Sequence, residues 1–366
     1  MTQIQEKLVV EIGNKKTLFK TENYSMSIGE LANLYTTNEI IINPAFQRLF
    51  RWSEGQKVKL IESVILGIPI PPLFVYQNRD GIWELVDGLQ RASTILQFMG
   101  ILKDNEKLVL KGTKYLPSFE GFVWNTDPIN QNELPDILKL NFKRSKLQFI
   151  IIQSDSDPNA KFEVFQRLNT GGSNASNQEI RNSVLIMIKP AAHEWFERMS
   201  DLPEFLNTIS ISERLINEEY NSELLLRVIA LLKFPYDSKK DLGDYLDNIN
   251  DQIATTDHLN FEEIEQVLIK TFRMLNNALG EKAFKKFEND DFKGKFLESA
   301  YECIATGLAA NIHEWDVTND LEELKSRIKQ LYEKEEFIAN IGSGSNARTR
   351  IPRIVPFGKV YFKRNK

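Results

Sequence analysis

The stretch Trp83 to Met99, WELVDGLQRASTILQFM, decides the fold, because strand, turn and helix signals follow one another there around polar side chains. Residues 82–86 are mostly aliphatic or aromatic, as in a largely buried strand. Apolar residues then recur at the i, i+3, i+4 and i+7 spacing of an amphipathic helix. The stretch therefore predicts a strand that ends at Asp87 and Gly88 and a helix that begins directly after them.

The junction between this strand and helix carries the candidate chemistry. Gly88 allows a sharp turn and a close approach of the backbone to a ligand, and the N–H groups at the start of a helix attract an anion. Arg91 adds a planar fork of donors that suits phosphate oxygens. Asp87 could orient that arginine, hold a metal-bound water or accept a proton. The alternative is an ordinary turn beside a solvated arginine, which a motif this short does not exclude.

Three blocks of the sequence resemble one bacterial family. Residues 86–91, VDGLQR, resemble the D-G-x-Q-R signature of the family that forms the amino-terminal half of GmrSD type IV restriction enzymes, itself similar to the ParB/sulfiredoxin fold. Residues 47–52, QRLFRW, resemble its motif Q-R-x-x-x-W. Residues 165–172, FQRLNTGG, and 179–182, EIRN, resemble its third block. One departure is Leu89, where relatives often carry a polar residue.

The resemblance implies a nucleotide site in which Asp87 orients water or Mg²⁺. The residues it implies as catalytic are Asp87, Gln90 and Arg91. Those it implies as contacts for a nucleoside triphosphate are Gln47, Arg48, Gly88, Gln90, Arg91 and Asn169. Structural roles remain open for some of them: Arg48 could form a surface ion pair, and Glu179 has the spacing of a capping-box partner for Ser176.

Length and composition describe an ordinary globular protein. With 366 residues, 42% of them hydrophobic and 27% charged, the chain can bury a sizeable core and is long enough for two domains. The single cysteine, Cys303, excludes an internal disulfide and a cysteine-rich zinc site. The sequence lacks an apolar run of membrane-spanning length and a signal-peptide pattern at its start. We therefore expect a cytoplasmic protein without membrane contact.

The predicted architecture is α+β. Residues 1–190 are expected to form a small mixed-sheet, ParB/sulfiredoxin-like nucleotide-binding domain, and residues 191–340 an all-helical domain without strands. Residues 341–366 are expected to form a basic carboxyl-terminal segment that begins with a flexible stretch at 341–346; a solvated tail is the alternative without function. Local patterns also predict strands at residues 8–12, 17–19 and 107–110.

Charge is distributed unevenly along the chain. The net charge is −5, and residues 341–366 contain seven basic residues and no acidic one, so the preceding residues carry −12. An acidic bulk argues against broad nucleic-acid binding by the whole surface, so any DNA contact must be local. Arg348, Arg350 and Arg353 are the candidate DNA-binding residues.

The resemblance implies a nucleotide-binding, NTP-hydrolysing component of a bacterial DNA restriction or anti-phage system. DNA is an expected partner, and a separate nuclease subunit is a candidate partner. Two alternatives remain open. One is a ParB-like DNA nuclease, and the other is a module that uses nucleotide as a switch without turnover. The three histidines show no His-Asn-His spacing, which argues against DNA cleavage by this chain alone. The sequence does not indicate an oligomeric state.

Overall fold

The computed structural model divides into two compact units, Met1–Ser173 and Asn174–Lys366. It describes residues 2–16, 20–42, 52–103, 105–126, 132–153, 164, 167–168, 176–341 and 345–364. The observed division lies between residues 173 and 174, whereas the sequence predicted a domain boundary after residue 190. Helix 177–188 accounts for the difference, because it packs against other helices of the second unit.

The first unit is built on a mixed sheet of five strands with helices around it. The strands of the unit are β1 Thr21–Ser27, β2 Ile40–Ile41, β3 Leu73–Gln77, β4 Trp83–Asp87, β5 Phe122–Val123, β6 Asn132–Glu133 and β7 Lys146–Ile152. Its helices are α1 Gln3–Lys16, α2 Ile28–Thr36, α3 Glu54–Leu66, α4 Leu89–Phe98 and α5 Asp136–Arg144, with a 3₁₀ turn at Pro117–Phe119.

The sheet has the order β1-β7-β3-β4-β2, while β5 and β6 form a separate parallel pair. Strand β3 runs parallel to β7 and antiparallel to β4, and β2 runs parallel to β4. Leu73, Val75 and Phe149 on one face of the sheet join Ile95 and Leu96 of α4 in the core. Burial of these apolar side chains is the main force that holds α4, and therefore its first turn, against the sheet.

Local sequence signals account for several of these elements. Ser53 and Gln56 form a capping box at the start of α3, and Gly67 ends that helix in the left-handed conformation. The predicted strand and helix around Gly88 are β4 and α4. The expected α+β class is confirmed.

Two predicted strands are wrong, and a third cannot be compared. Residues 8–12 lie within helix α1, none of whose side chains is buried, so their β-branched character does not indicate a sheet here. Residues 107–110 do not form a strand, although Leu110 exchanges backbone hydrogen bonds with Gly121 and Phe122. The strand predicted at residues 17–19 lies outside the described residues.

The second unit is mainly helical. Its helices are α6 Asn177–Ile188, α7 Pro190–Ser200, α8 Pro203–Ile209, α9 Glu213–Asn217, α10 Tyr220–Lys233, α11 Leu242–Thr255, α12 Phe261–Leu279, α13 Glu298–Asn311, α14 Leu321–Leu331, α15 Glu335–Ile338 and α16 Ala347–Tyr361, with 3₁₀ turns at Gly280–Lys282 and Ile312–Glu314. The expectation that no strand interrupts this region is wrong. An antiparallel hairpin, β8 Lys286–Glu288 and β9 Asp291–Lys293, turns at Asn289 and Asp290, both with positive φ.

No helix among the described residues combines the length and apolar character needed to cross a membrane.

The carboxyl-terminal segment corrects another expectation. Residues 347–361 belong to the predicted basic segment, for which a solvated tail was one interpretation, but they form α16, which crosses α13 at very short range. A Cβ added to Gly358 would lie 2.5 Å from the carbonyl oxygen of Cys303, and one added to Gly307 would lie 2.5 Å from the carbonyl oxygen of Gly358. The two glycines allow the backbones to meet, so α16 is an integral part of the second unit.

The variant Gly358→Ala tests this crossing. The added methyl group has no room against the backbone of Cys303, so we expect a loss of about 1–3 kcal/mol in the free energy of unfolding, measured by urea denaturation. Val360→Ala on the same helix is the control, because Val360 is 74% exposed. Equal stability of the two variants would contradict the close crossing.

Candidate functional site

The turn between β4 and α4 requires glycine. Gly88 occupies the N-cap position of α4 with φ of 97°, in the left-handed region, and no side chain caps the helix there. A Cβ at this position would approach Leu73 Cγ and Cδ2 to 3.0 Å. The free N–H groups in the first turn of α4 therefore lie beside the end of strand β4, next to a glycine that packs closely against Leu73.

A β-bulge precedes this turn. Phe74 pairs with Asp87 and Val75 pairs with Leu85, so Val86 is an extra residue on β4. A bulge increases the local twist and redirects the residues that follow it. Leu85 and Val86 are both buried although they are neighbours in the strand. Such a break in strand alternation was the sequence signal that could have revealed the bulge, and it was missed.

Arg91 is held by the protein itself. Its Nη2 donates to Asp87 Oδ2 at 2.6 Å, and its Nη1 donates to the carbonyl oxygens of Pro71 at 2.7 Å and Pro72 at 2.9 Å. Its side chain is 13% exposed and that of Asp87 is 26% exposed. These bonds use three of the five N–H groups of the guanidinium. Of the interpretations left open by the sequence, the structure therefore shows that Asp87 orients Arg91, and it excludes a solvated Arg91.

Gln90 connects the turn to the first family block. Its Oε1 accepts a hydrogen bond from the backbone N–H of Trp52 at 3.1 Å. Trp52 immediately precedes the N-cap Ser53 of α3. The amino-terminal ends of α3 and α4 are thus joined by a side chain of the D-G-x-Q-R motif.

The structure brings together Asp87, Gly88, Gln90 and Arg91. The predicted contacts Gln47, Arg48 and Asn169 lie outside the described residues. Strand β2 runs parallel to β4, so the two strands end on the same side of the sheet.

The donor set near the turn suits Mg²⁺ only in the company of phosphates. Within the described ranges, no group of three or more His, Cys, Asp or Glu side chains is placed to hold a metal ion. Asp87 offers one carboxylate, and its Oδ2 already accepts from Arg91. Magnesium often binds through one or two carboxylates together with substrate phosphates and water, and Asp87 fits that mode.

The structural stability of the turn can be tested without any ligand. Arg91→Ala removes bonds to a carboxylate and two carbonyl oxygens at a mostly buried site, so we expect a loss of about 1.5–3 kcal/mol in the free energy of unfolding, measured by urea denaturation. Arg79→Ala in the exposed hairpin turn is the control. If the two variants lose equal stability, the bonds of Arg91 do not support the turn.

Comparison with known families identifies the part of the chain that contains this turn. Residues 28–186 match the family model described as GmrSD restriction endonuclease, N-terminal domain. Residues 28–186 therefore form a domain of the GmrSD N-terminal family. No curated protein and no solved structure matches the chain significantly. A domain of this family implies a component of a restriction or anti-phage system.

The GmrSD N-terminal domain extends into the helical unit. The match ends within α6, which carries the EIRN block and packs against helices of the second unit. Glu179 is the capping-box partner of Ser176, since both reciprocal hydrogen bonds are present. The structural interpretation of Glu179 is therefore confirmed.

Arg181 of the EIRN block is buried in a set of charged and polar partners that sequence reasoning missed. It is 1% exposed. Its Nε donates to Asp247 at 2.7 Å, its Nη1 to Gln178 and Glu223 at 3.1 Å each, and its Nη2 to the Gly243 carbonyl oxygen at 3.2 Å. Arg181, a residue of this family block, thus holds α6, α10 and α11 together.

The network continues through Glu223 to Arg227, whose Nη2 donates to Glu223 at 2.9 Å and whose Nη1 lies 3.2 Å from both Glu298 and Glu302. Glu302 is completely buried and also accepts two bonds of 2.8 Å from Arg350. Burial alone would raise the pKa of Glu298, but the charge of Arg227 is among the effects that lower it. Opposite charges therefore compensate one another along a buried path through four helices.

The carboxyl-terminal arginines lie in different surroundings. Arg350 is buried in the network and is not exposed to DNA. Arg348 and Arg353 are both exposed, and Nη2 of Arg348 lies 3.9 Å from Asp241. Arg364, also counted in the basic segment, bonds to Asp320 and Glu323. The basic charge of this segment is thus used largely within the second unit.

The buried network makes a specific prediction about stability. Arg227→Ala leaves buried Glu302 with Arg350 as its remaining arginine partner. Breaking a buried ion pair from one side typically costs about 3–5 kcal/mol, and we expect that loss in the free energy of unfolding.

The control is Arg214→Ala, which removes a surface pair with Glu218 where the arginine side chain is 77% exposed. It should change stability by about 0.5 kcal/mol or less. Similar values for both variants in urea denaturation would show that the network does not stabilise the unit.

Proposed function

We propose that this chain is a cytoplasmic nucleotide-binding, NTP-hydrolysing component of a restriction or anti-phage system. The observation that carries the proposal is the arrangement at Gly88: an uncapped helix start with an ion pair between Asp87 and Arg91 beside it. Helix starts of this kind attract phosphate groups through their N–H donors and dipole. Membership of the GmrSD N-terminal family supports the system-level part of the proposal.

The phosphates would lie over the first turn of α4. Backbone N–H groups of that turn would donate to phosphate oxygens, and the positive charge of Arg91 would add to their attraction. Because Arg91 already bonds to Asp87 and to two prolyl carbonyl oxygens, it is preorganised and loses little conformational freedom when a ligand arrives. From the resemblance, Gln47, Arg48 and Asn169 are further proposed contacts.

Asp87 would act on the attacking water. Its carboxylate is fixed by Arg91 while its side chain remains 26% exposed, so it can face solvent or substrate. A fixed carboxylate can orient a water molecule or help to hold Mg²⁺ that neutralises phosphate charge. In either case Asp87 would contribute to turnover more than to affinity.

A switch without turnover is the second candidate. It would use the same phosphate contacts at α4, with the Asp87 carboxylate engaged in holding Arg91 and not in activating water. DNA cleavage by this chain is a weaker candidate, because no metal-binding group of three suitable side chains occurs among the described residues. We propose that DNA, if it is cut, is cut by a separate nuclease subunit.

The test is phosphate release by the purified chain with each of the four NTPs, with and without DNA and Mg²⁺. Asp87→Asn keeps the shape of the side chain and an oxygen that accepts from Arg91, so we expect nearly unchanged nucleotide affinity and a loss of turnover of at least about 100-fold. Asp80→Asn, at an exposed turn position, is the matched control.

The outcomes separate the candidates. Binding without phosphate release by the unmodified chain would favour the switch. Robust DNA nicking that disappears in Asp87→Asn would favour the nuclease. Absence of NTP binding under all conditions would refute the proposed function.

A further inference from the structure

Gln90 lies in the first turn of α4, but its side chain reaches another element. Its Oε1 accepts from the Trp52 N–H at 3.1 Å, and Trp52 stands directly before the N-cap of α3. The partly buried Trp52 side chain packs against the core of the first unit. The bond therefore links a glutamine near the proposed phosphate site to the anchored start of a second helix.

The position of Trp52 in the sequence gives this bond its importance. Trp52 is the last residue of the block that resembles Q-R-x-x-x-W, and Gln47 and Arg48 precede it by five and four residues. Gln90 is three residues from Asp87 along the chain. The bond between Gln90 and Trp52 thus joins two of the three family blocks.

A second glutamine on α4, Gln97, also bonds to the region of α3, but at a distance from the turn at Asp87. Gln97 follows Gln90 by seven residues, about two helical turns, and so lies on the same side of α4. Its Oε1 accepts from Lys57 Nζ at 3.0 Å, and its Nε2 donates to the Glu106 carbonyl oxygen at 2.8 Å. Both glutamines join α4 to residues in or next to α3, but only Gln90 does so at the turn that carries Asp87.

We propose that Gln90 is a positioning residue. Its carboxamide oxygen holds the start of α3, and with it the end of the Q-R-x-x-x-W block, in a defined place relative to Asp87. Gln90 acts through Trp52 and does not touch the nucleotide. This inference rests on the proposed function for its effect on turnover, but the anchoring of Trp52 can be measured without nucleotide.

The first experiment is hydrogen exchange at the Trp52 amide in the nucleotide-free full chain. Gln90→Ala removes the acceptor, so exchange at Trp52 should become at least about fivefold faster. Gln90→Glu keeps an oxygen acceptor and should leave exchange close to that of the unmodified chain. Gln97→Ala, the matched control, should also leave it unchanged.

The second experiment compares kcat and KM for NTP hydrolysis in the same variants. Gln90→Ala should lower kcat/KM at least about tenfold, and Gln90→Glu should restore most of the loss because a carboxylate oxygen also accepts the Trp52 N–H. A glutamine that contacted phosphate would show the opposite order, since the negative charge of Glu would repel the ligand. A variant Gln97→Ala with the activity of the unmodified chain would show that the effect is specific to Gln90.

Unchanged Trp52 exchange in Gln90→Ala, lower activity in Gln90→Glu than in Gln90→Ala, or an equal loss in Gln97→Ala would each overturn the inference. If the unmodified chain binds no NTP, the proposed function fails, and the inference fails with it as a statement about turnover. Exchange at Trp52 then still decides whether Gln90 anchors α3.

Discussion

The guanidinium of Arg91 is the interaction on which the candidate site depends. It joins the end of β4, through Asp87, to the carbonyl oxygens of Pro71 and Pro72 at the entry to β3. Proline has no backbone N–H, so Pro71 and Pro72 can form backbone hydrogen bonds only through their carbonyl oxygens. Arg91 supplies the donors for both oxygens. The same three bonds hold Asp87 in one orientation. Order at the site is therefore built into the protein before any ligand binds.

Steric constraints further restrict the backbone conformation of the turn at Gly88. Gly88 has a left-handed backbone, a Cβ there would crowd the Leu73 side chain, and the bulge at Val86 redirects the strand just before it. Both features hold the polar turn from Asp87 to Arg91 close against the packed sheet. The D-G-x-Q-R block thus combines a steric requirement at its glycine with bonding requirements at its other polar residues: the aspartate and arginine bond to each other, and the glutamine bonds to the start of α3.

The family blocks do not all serve one place in the fold. The EIRN block lies in the helical unit, where Glu179 caps α6 and Arg181 bonds to three other side chains and a backbone carbonyl. Buried arginines of this kind are retained only when carboxylates and carbonyl oxygens satisfy them. Residues of a family motif can therefore stabilise the packing of helices as well as take part in chemistry.

The sequence by itself determined the features that depend on residues a few positions apart. The capping boxes at Ser53 and Ser176, and the strand, turn and helix around Gly88, were all predictable because each needs only local spacing and a backbone preference. Tertiary structure decided the rest. The partners of Arg91, the burial of Arg350 and the close crossing at Gly358 join residues that are distant in sequence. Whether a charged side chain meets solvent, a ligand or a buried partner depends on which distant elements pack around it, and local patterns contain no information about that packing.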